Sequence, residues 1–124
     1  MKKEATRDYA TEAFRLYASL GKPSWKNLKD GDLDISVITN EALMLDIRAV
    51  KNTLDILLLE NKINIITAID EIYFYNPTNY LRKNDIMNRV INLAVNMPAS
   101  ERSIFYWLKE ARVLFAKNRG LRIK

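Results

Sequence analysis

A chain of 124 residues, 48% apolar, has the size for one domain with a real hydrophobic core and too much apolar content for a disordered one. It carries no cysteine and no histidine, which excludes disulfides, thiolate or imidazole metal sites, and Ser-His-Asp or Cys-His catalysis within it. The net charge is +5: residues 101–124 hold seven basic side chains against two acids, while the first hundred hold thirteen of each sign. A basic end on a neutral body is the electrostatic footprint of a partner that is a polyanion, or else of a solubilising tail.

With three glycines and three prolines, the chain reads as helices joined by short loops. Residues 5–20 are predicted helical, with Tyr9, Ala10, Ala13, Phe14, Leu16, Tyr17 and Leu20 on one broad face and Gly21 and Pro23 as stop signals. Residues 22–38 are less regular. Trp25 is expected as a core plug or a lid over helix ends. The alternation of Leu33, Ile35 and Val37 admits a very short strand, but an extended loop is preferred because no partner strand is in sight. Residues 40–60 form the clearest helix, through Leu43, Ile47, Val50, Leu54, Leu57 and Leu58. Residues 63–75 follow after an Asn61-Lys62 break, helical despite their isoleucines, and Asn76-Pro77-Thr78-Asn79 marks a turn. The next helix is expected over 84–97, capped by Asn84 or Asp85, with Ile86, Val90, Leu93, Ala94 and Met97 along one side. After Pro98-Ala99, Ser100 caps a last helix that Gly120 closes.

These last two helices carry the functional reading. Two helices joined by a tight turn, the second basic on one side, describe a helix-turn-helix. Ala94 is small where the helices would cross, and Ile104 and Trp107 would anchor the second on the first. Ile104, Leu108, Ala111 and Phe115 recur at i, i+4, i+7 and i+11 as a core stripe; Arg102, Tyr106, Lys109 and Val113 repeat that spacing on another face, flanked by Ser103 and Arg112. A recognition helix needs this division, because one side must pack while the other offers cations and hydroxyls to phosphates and base edges. The alternative is an αα-hairpin whose last helix is merely charged outside.

The run Met97-Pro98-Ala99-Ser100-Glu101-Arg102-Ser103-Ile104-Phe105-Tyr106-Trp107-Leu108-Lys109-Glu110-Ala111-Arg112 resembles the helix-turn-helix of Firmicute and phage regulators, closest to the ArpU and RinA type of late transcriptional regulator, related to region 4 of sigma-70 factors. Residues shared with that pattern are Ser100, Glu101, Arg102, Trp107, Leu108, Ala111, Arg112, Phe115 and Ala116, within residues 84–121. Pro98 stands where a glycine is frequent, so the turn must differ, and Tyr106 stands where a basic residue is common. The resemblance implies a regulator acting on promoters of phage or prophage genes.

Other signals are weaker. Asp30, Asp32, Asp34 and Glu41 match four positions of an EF-hand loop, but Ile35 occupies the position that must be glycine, so no metal site is expected. Tyr73, Phe74, Tyr75 and Tyr80 beside Arg82 and Lys83 can be read as a base-stacking surface, though helical spacing favours core and rim. Glu12, Asp46, Asp70 and Glu71 are isolated carboxylates with no supporting base.

The sequence therefore predicts an all-α protein, a small helical bundle (1–80) ending in a helix-turn-helix (81–124) packed on it as one compact unit. It predicts a cytoplasmic DNA-binding transcriptional regulator rather than an enzyme, with no catalytic residue, metal or cofactor and no membrane span. The expected DNA-binding residues are Ser100, Arg102, Ser103, Tyr106, Lys109, Arg112, Lys117 and Arg119: Arg102, Ser103, Tyr106 and Lys109 face bases or nearby phosphates, while Arg112, Lys117, Arg119 and also Arg122 mostly add non-specific affinity. Double-stranded DNA is the expected partner, and RNA polymerase and a second copy of the chain are candidate ones. The alternative function is a phage-related interaction adaptor, for packaging or polymerase binding, without sequence-specific DNA binding.

Overall fold

The computed structural model describes residues 5–77 and 83–121 and contains, among them, helices and no strand. In chain order these are α1 (Ala5–Ser19), α2 (Trp25–Asp30), α3 (Ile35–Ile38), α4 (Glu41–Leu59), α5 (Ile63–Ala68), which continues into a π-helical turn over Ile69–Tyr73, α6 (Lys83–Asn96) and α7 (Glu101–Arg119). No helix among the described residues is long and apolar enough to cross a membrane.

The ends of α1, α4 and α7 use one device. Gly21, Asn61 and Gly120 take positive φ, and each sits in a Schellman closure. Lys22 N–H reaches the Tyr17 carbonyl, Lys62 N–H that of Leu57, and Leu121 N–H that of Ala116, each spanning five residues, at 2.8–3.1 Å. The starts are also specified: Asn40 accepts from Leu43 N–H and Ser100 from Ser103 N–H.

Helices α4 and α7 form the main pair and run antiparallel, since Asp46 near the start of α4 meets Arg119 at the end of α7 while Lys62, just past α4, reaches Glu110. Helix α1 packs against both, and α5 and α6 pack against α7. An aromatic hub lies at the centre. The ring of Phe14 stacks on Tyr73 with centroids 5.5 Å apart and meets Phe115 at 5.8 Å and Phe74 at 6.4 Å. Phe14, Tyr73 and Phe115 are fully buried, so one side chain from each of three elements fixes their mutual positions.

The structure corrects several expectations. Residues 22–38 hold two short helices instead of an extended loop. Ser24 and Asn27 form a capping box that starts α2, and Asp34 caps α3 through Ser36 N–H, so local side-chain bonds outweigh the apolar alternation. Of the alternating residues, Val37 is buried and Ile35 lies 75% exposed. Trp25 plugs no core: it starts α2, stays exposed, and donates its indole N–H to Asp55 of α4 at 2.6 Å. Helix α6 begins at Lys83, so Asn84 and Asp85 lie inside its first turn rather than at its cap. Leu58 faces solvent at 61% exposure. The π-helical turn had no sequence signal. At its end Ile72, Tyr73 and Phe74, three consecutive residues, are all buried.

Candidate nucleic-acid interface

Helix α7 separates into the two sides its spacing implies. Ile104, Leu108, Ala111, Phe115 and also Ala116 are buried, whereas Arg102, Tyr106 and Lys109 are exposed, Tyr106 by 67%. The helix enters from α6 through Met97-Pro98-Ala99, where Ala99 N–H closes on the Met97 carbonyl at 2.7 Å to make a three-residue turn around Pro98. None of these residues needs positive φ, so the turn works without glycine, and the ring of Pro98 restricts the backbone just before the cap. Helix α6 is also held at its middle: Arg89 donates to the Ile72 carbonyl at 2.6 Å and lies over the ring of Tyr75 at 5.2 Å.

The eight predicted contact residues divide by what the fold does with them. Ser100 is occupied as the cap: its oxygen accepts Ser103 N–H at 3.1 Å and its hydroxyl donates to Ser103 Oγ at 3.0 Å. Arg102, Tyr106, Lys109 and Arg112 come together around an open cleft of about 350 Å³, whose other walls are Tyr73, Ile86, Phe105 and Leu108. Lys117 is exposed and lies eleven residues beyond Tyr106, hence on the same side of the helix, but outside this cleft. Arg119 is turned inward. Its Nε donates to Asp46 Oδ1 at 2.6 Å, Tyr9 donates its hydroxyl proton to the same oxygen at 2.7 Å, and both Arg119 and Asp46 are largely buried. The hydrogen bond to Asp46 holds the Arg119 guanidinium above its usual pKa, and burial, then the bond to Asp46, raises that of the Tyr9 hydroxyl. Arg119 is thus a structural clasp between α7 and α4. Arg122 lies outside the described residues.

Charge pairing sharpens the contrast. Lys22, Lys51, Lys62 and Arg119 all hold carboxylates, whereas Arg102, Lys109 and Arg112 have no such partner among the described residues. The nearest carboxylate in spacing to Tyr106, Glu110 at i+4, is engaged by Lys62 at 2.5 Å. Arg112 instead donates through Nη1 to the Tyr73 hydroxyl at 2.8 Å, which orients its guanidinium without neutralising it.

Tyr73, Ile86 and Phe105 also line the cleft, although their spacing in the sequence points the first two to the core and offers no signal for Phe105. Only the folding of the π-helical turn and α6 against α7 brings them there. Of the aromatic-basic cluster, Tyr73 and Phe74 are buried, Tyr75 is exposed, and Tyr80 and Arg82 and the side chain of Lys83 lie outside the described residues. Among the acids read as an incomplete EF-hand, Asp34 serves as the α3 cap, and the described residues contain no cluster of three or more potential metal ligands.

No protein-family model, curated protein or solved structure matches this chain.

Proposed function

We propose that the protein is a DNA-binding transcriptional regulator that lays the exposed side of α7 into the major groove, with α6 and the Pro98 turn completing a helix-turn-helix. The observation that carries this reading is the strip of Arg102, Tyr106 and Lys109: exposed, at helical spacing, cationic at two of three positions, and not paired with carboxylates among the described residues. A major groove about 12 Å wide admits one α-helix, and Arg and Lys on its outer side meet phosphate oxygens and the acceptor edge of guanine. Lys117, farther along, adds electrostatic affinity. Arg112 is positioned for a phosphate at the flank, while Arg119 contributes by holding α7 on α4. A role at phage or prophage promoters is part of this proposal and rests on the sequence pattern of residues 97–112 alone. In this reading the protein has no catalytic site.

The test is retention of fragmented DNA from the source genome at two salt concentrations, followed by sequencing. Enrichment of one sequence that weakens steeply with salt is expected. Retention of every fragment alike, or of none, contradicts a sequence-specific regulator. A protein-interaction adaptor is the second reading, favoured by the exposed leucines Leu58 and Leu59 (61% and 86%) beside Ile63 at the α4–α5 turn. Stable capture of a protein partner, abolished by Leu59→Asp, supports that reading instead.

A further inference from the structure

The cleft beside α7 differs in shape from the strip it adjoins. A helix side laid into a groove is convex, whereas Tyr73, Ile86, Phe105 and Arg112 make a recess between α7, the start of α6 and the π-helical turn. Its volume of about 350 Å³ lies at the low end of the range of roughly 300–1,000 Å³ for small-molecule sites. Three cations line it, and no lining residue is a carboxylate. Arg112 is already oriented by the Tyr73 hydroxyl, so part of the ordering cost of a bidentate anion contact is met before a ligand arrives. The other lining residues are the apolar Phe105, Ile86 and Leu108 and the rings of Tyr73 and Tyr106. A bare inorganic anion leaves these side chains unused, and a neutral ring leaves the three cations without an anionic partner.

We propose that this cleft binds a small aromatic phosphate of the nucleoside monophosphate class, with the phosphate held by Lys109 and Arg112, one turn apart on α7, Arg102 adding positive charge from farther along the helix, and the ring against Phe105 and Ile86. Because Arg102, Tyr106 and Lys109 also belong to the DNA-facing strip, the ligand and duplex DNA exclude one another. This second consequence rests on the DNA-binding reading; occupancy of the cleft does not. The ligand acts as an effector that releases the regulator from its operator.

The full chain, labelled with ¹⁵N, is titrated with adenosine 5′-monophosphate at about 0.15 M salt. Amide shifts are expected to centre on Tyr73, Ile86, Phe105 and Arg112. Adenosine alone and inorganic phosphate alone are each expected to bind at least about tenfold more weakly. Arg102→Ala and Lys109→Ala are each expected to weaken binding about tenfold, and both positions are exposed, so the fold is retained. Lys26→Ala, an exposed cation on α2, is the control and leaves binding unchanged. No saturable binding at millimolar nucleotide, shifts centred elsewhere, or undiminished affinity in both variants overturns the proposal, and equal affinity for phosphate and nucleotide reduces the cleft to a simple anion site and overturns it as well. A labelled operator duplex is then added. Its displacement by nucleotide supports the effector role, and its retention at saturating nucleotide refutes that role. Nucleotide binding without any DNA binding upholds the cleft while removing the regulator reading on which exclusion rests.

Discussion

At the scale of single residues, the polar groups between helices set much of what can be tested. Tyr17 is buried and donates its hydroxyl proton to the Pro23 carbonyl at 3.0 Å, and burial pushes its pKa up to about 12. The unfolded chain loses that proton near pH 10, so the stabilisation is complete below pH 10 and disappears as pH climbs toward 12, amounting to about 2–3 kcal/mol. Chemical denaturation of wild type and Tyr17→Phe across pH 9–12 reads this directly: the variant is expected to lose less stability over that interval, and equal losses contradict the assignment. Asp46 holds Arg119 and Tyr9 together, and Asp46→Ala is expected to cost about 2–4 kcal/mol by leaving the partly buried guanidinium without its carboxylate. Urea midpoints of Asp46→Ala, Arg119→Ala and the double variant measure it, and the two losses should fall well short of additive.

At the scale of elements, the sequence was most informative where one residue type has one physical task. Ser100 and Gly120 bound α7 as expected, because a hydroxyl at the N-cap and a glycine at positive φ have few substitutes. No atom outside the turn would crowd a Cβ at Gly120, so the penalty of Gly120→Ala is backbone strain alone, about 1 kcal/mol in thermal or urea unfolding. The core stripe of α7 was legible from spacing for the same reason: Ile104, Leu108, Ala111 and Phe115 have one common side to bury. The short helices α2 and α3 were not, since helices of six and four residues have too few turns to show a period and depend on Ser24 and Asp34 caps. Neither was the π-helical turn, where the need to bury three successive side chains against Phe14 and α6 arises only in the assembled fold. The site divides in the same way. Exposure of Arg102, Tyr106 and Lys109 follows from the register of α7, whereas the inward turn of Arg119 toward Asp46, 73 residues away in sequence, and the approach of Tyr73 to Arg112 depend on long-range packing.

At the scale of the whole molecule, the aromatic hub connects stability to the candidate interface. Phe14 touches Tyr73, which positions Arg112, and Phe115, which seats α7. Phe14→Ala is expected to destabilise by about 3–5 kcal/mol, visible as a large fall in the denaturation midpoint. Phe14→Leu keeps most of the volume and should retain the fold while loosening the orientation of Arg112, with a smaller effect on DNA binding than removal of a strip cation. The neutral body and the basic α7 side also have distinct tasks in this account: α1, α4 and α5 pack against α7, and its cations supply the field that a polyanion meets. The measurement that tests this most directly is the salt dependence of DNA affinity for wild type, Arg102→Ala and Lys109→Ala on an operator selected from the source genome. Each substitution is expected to lower affinity by about 1–3 kcal/mol and, where a phosphate contact is lost, to reduce the slope of log K against log salt by about 1. Unchanged affinity and slope in both variants contradict the assignment of α7 as the DNA-reading helix.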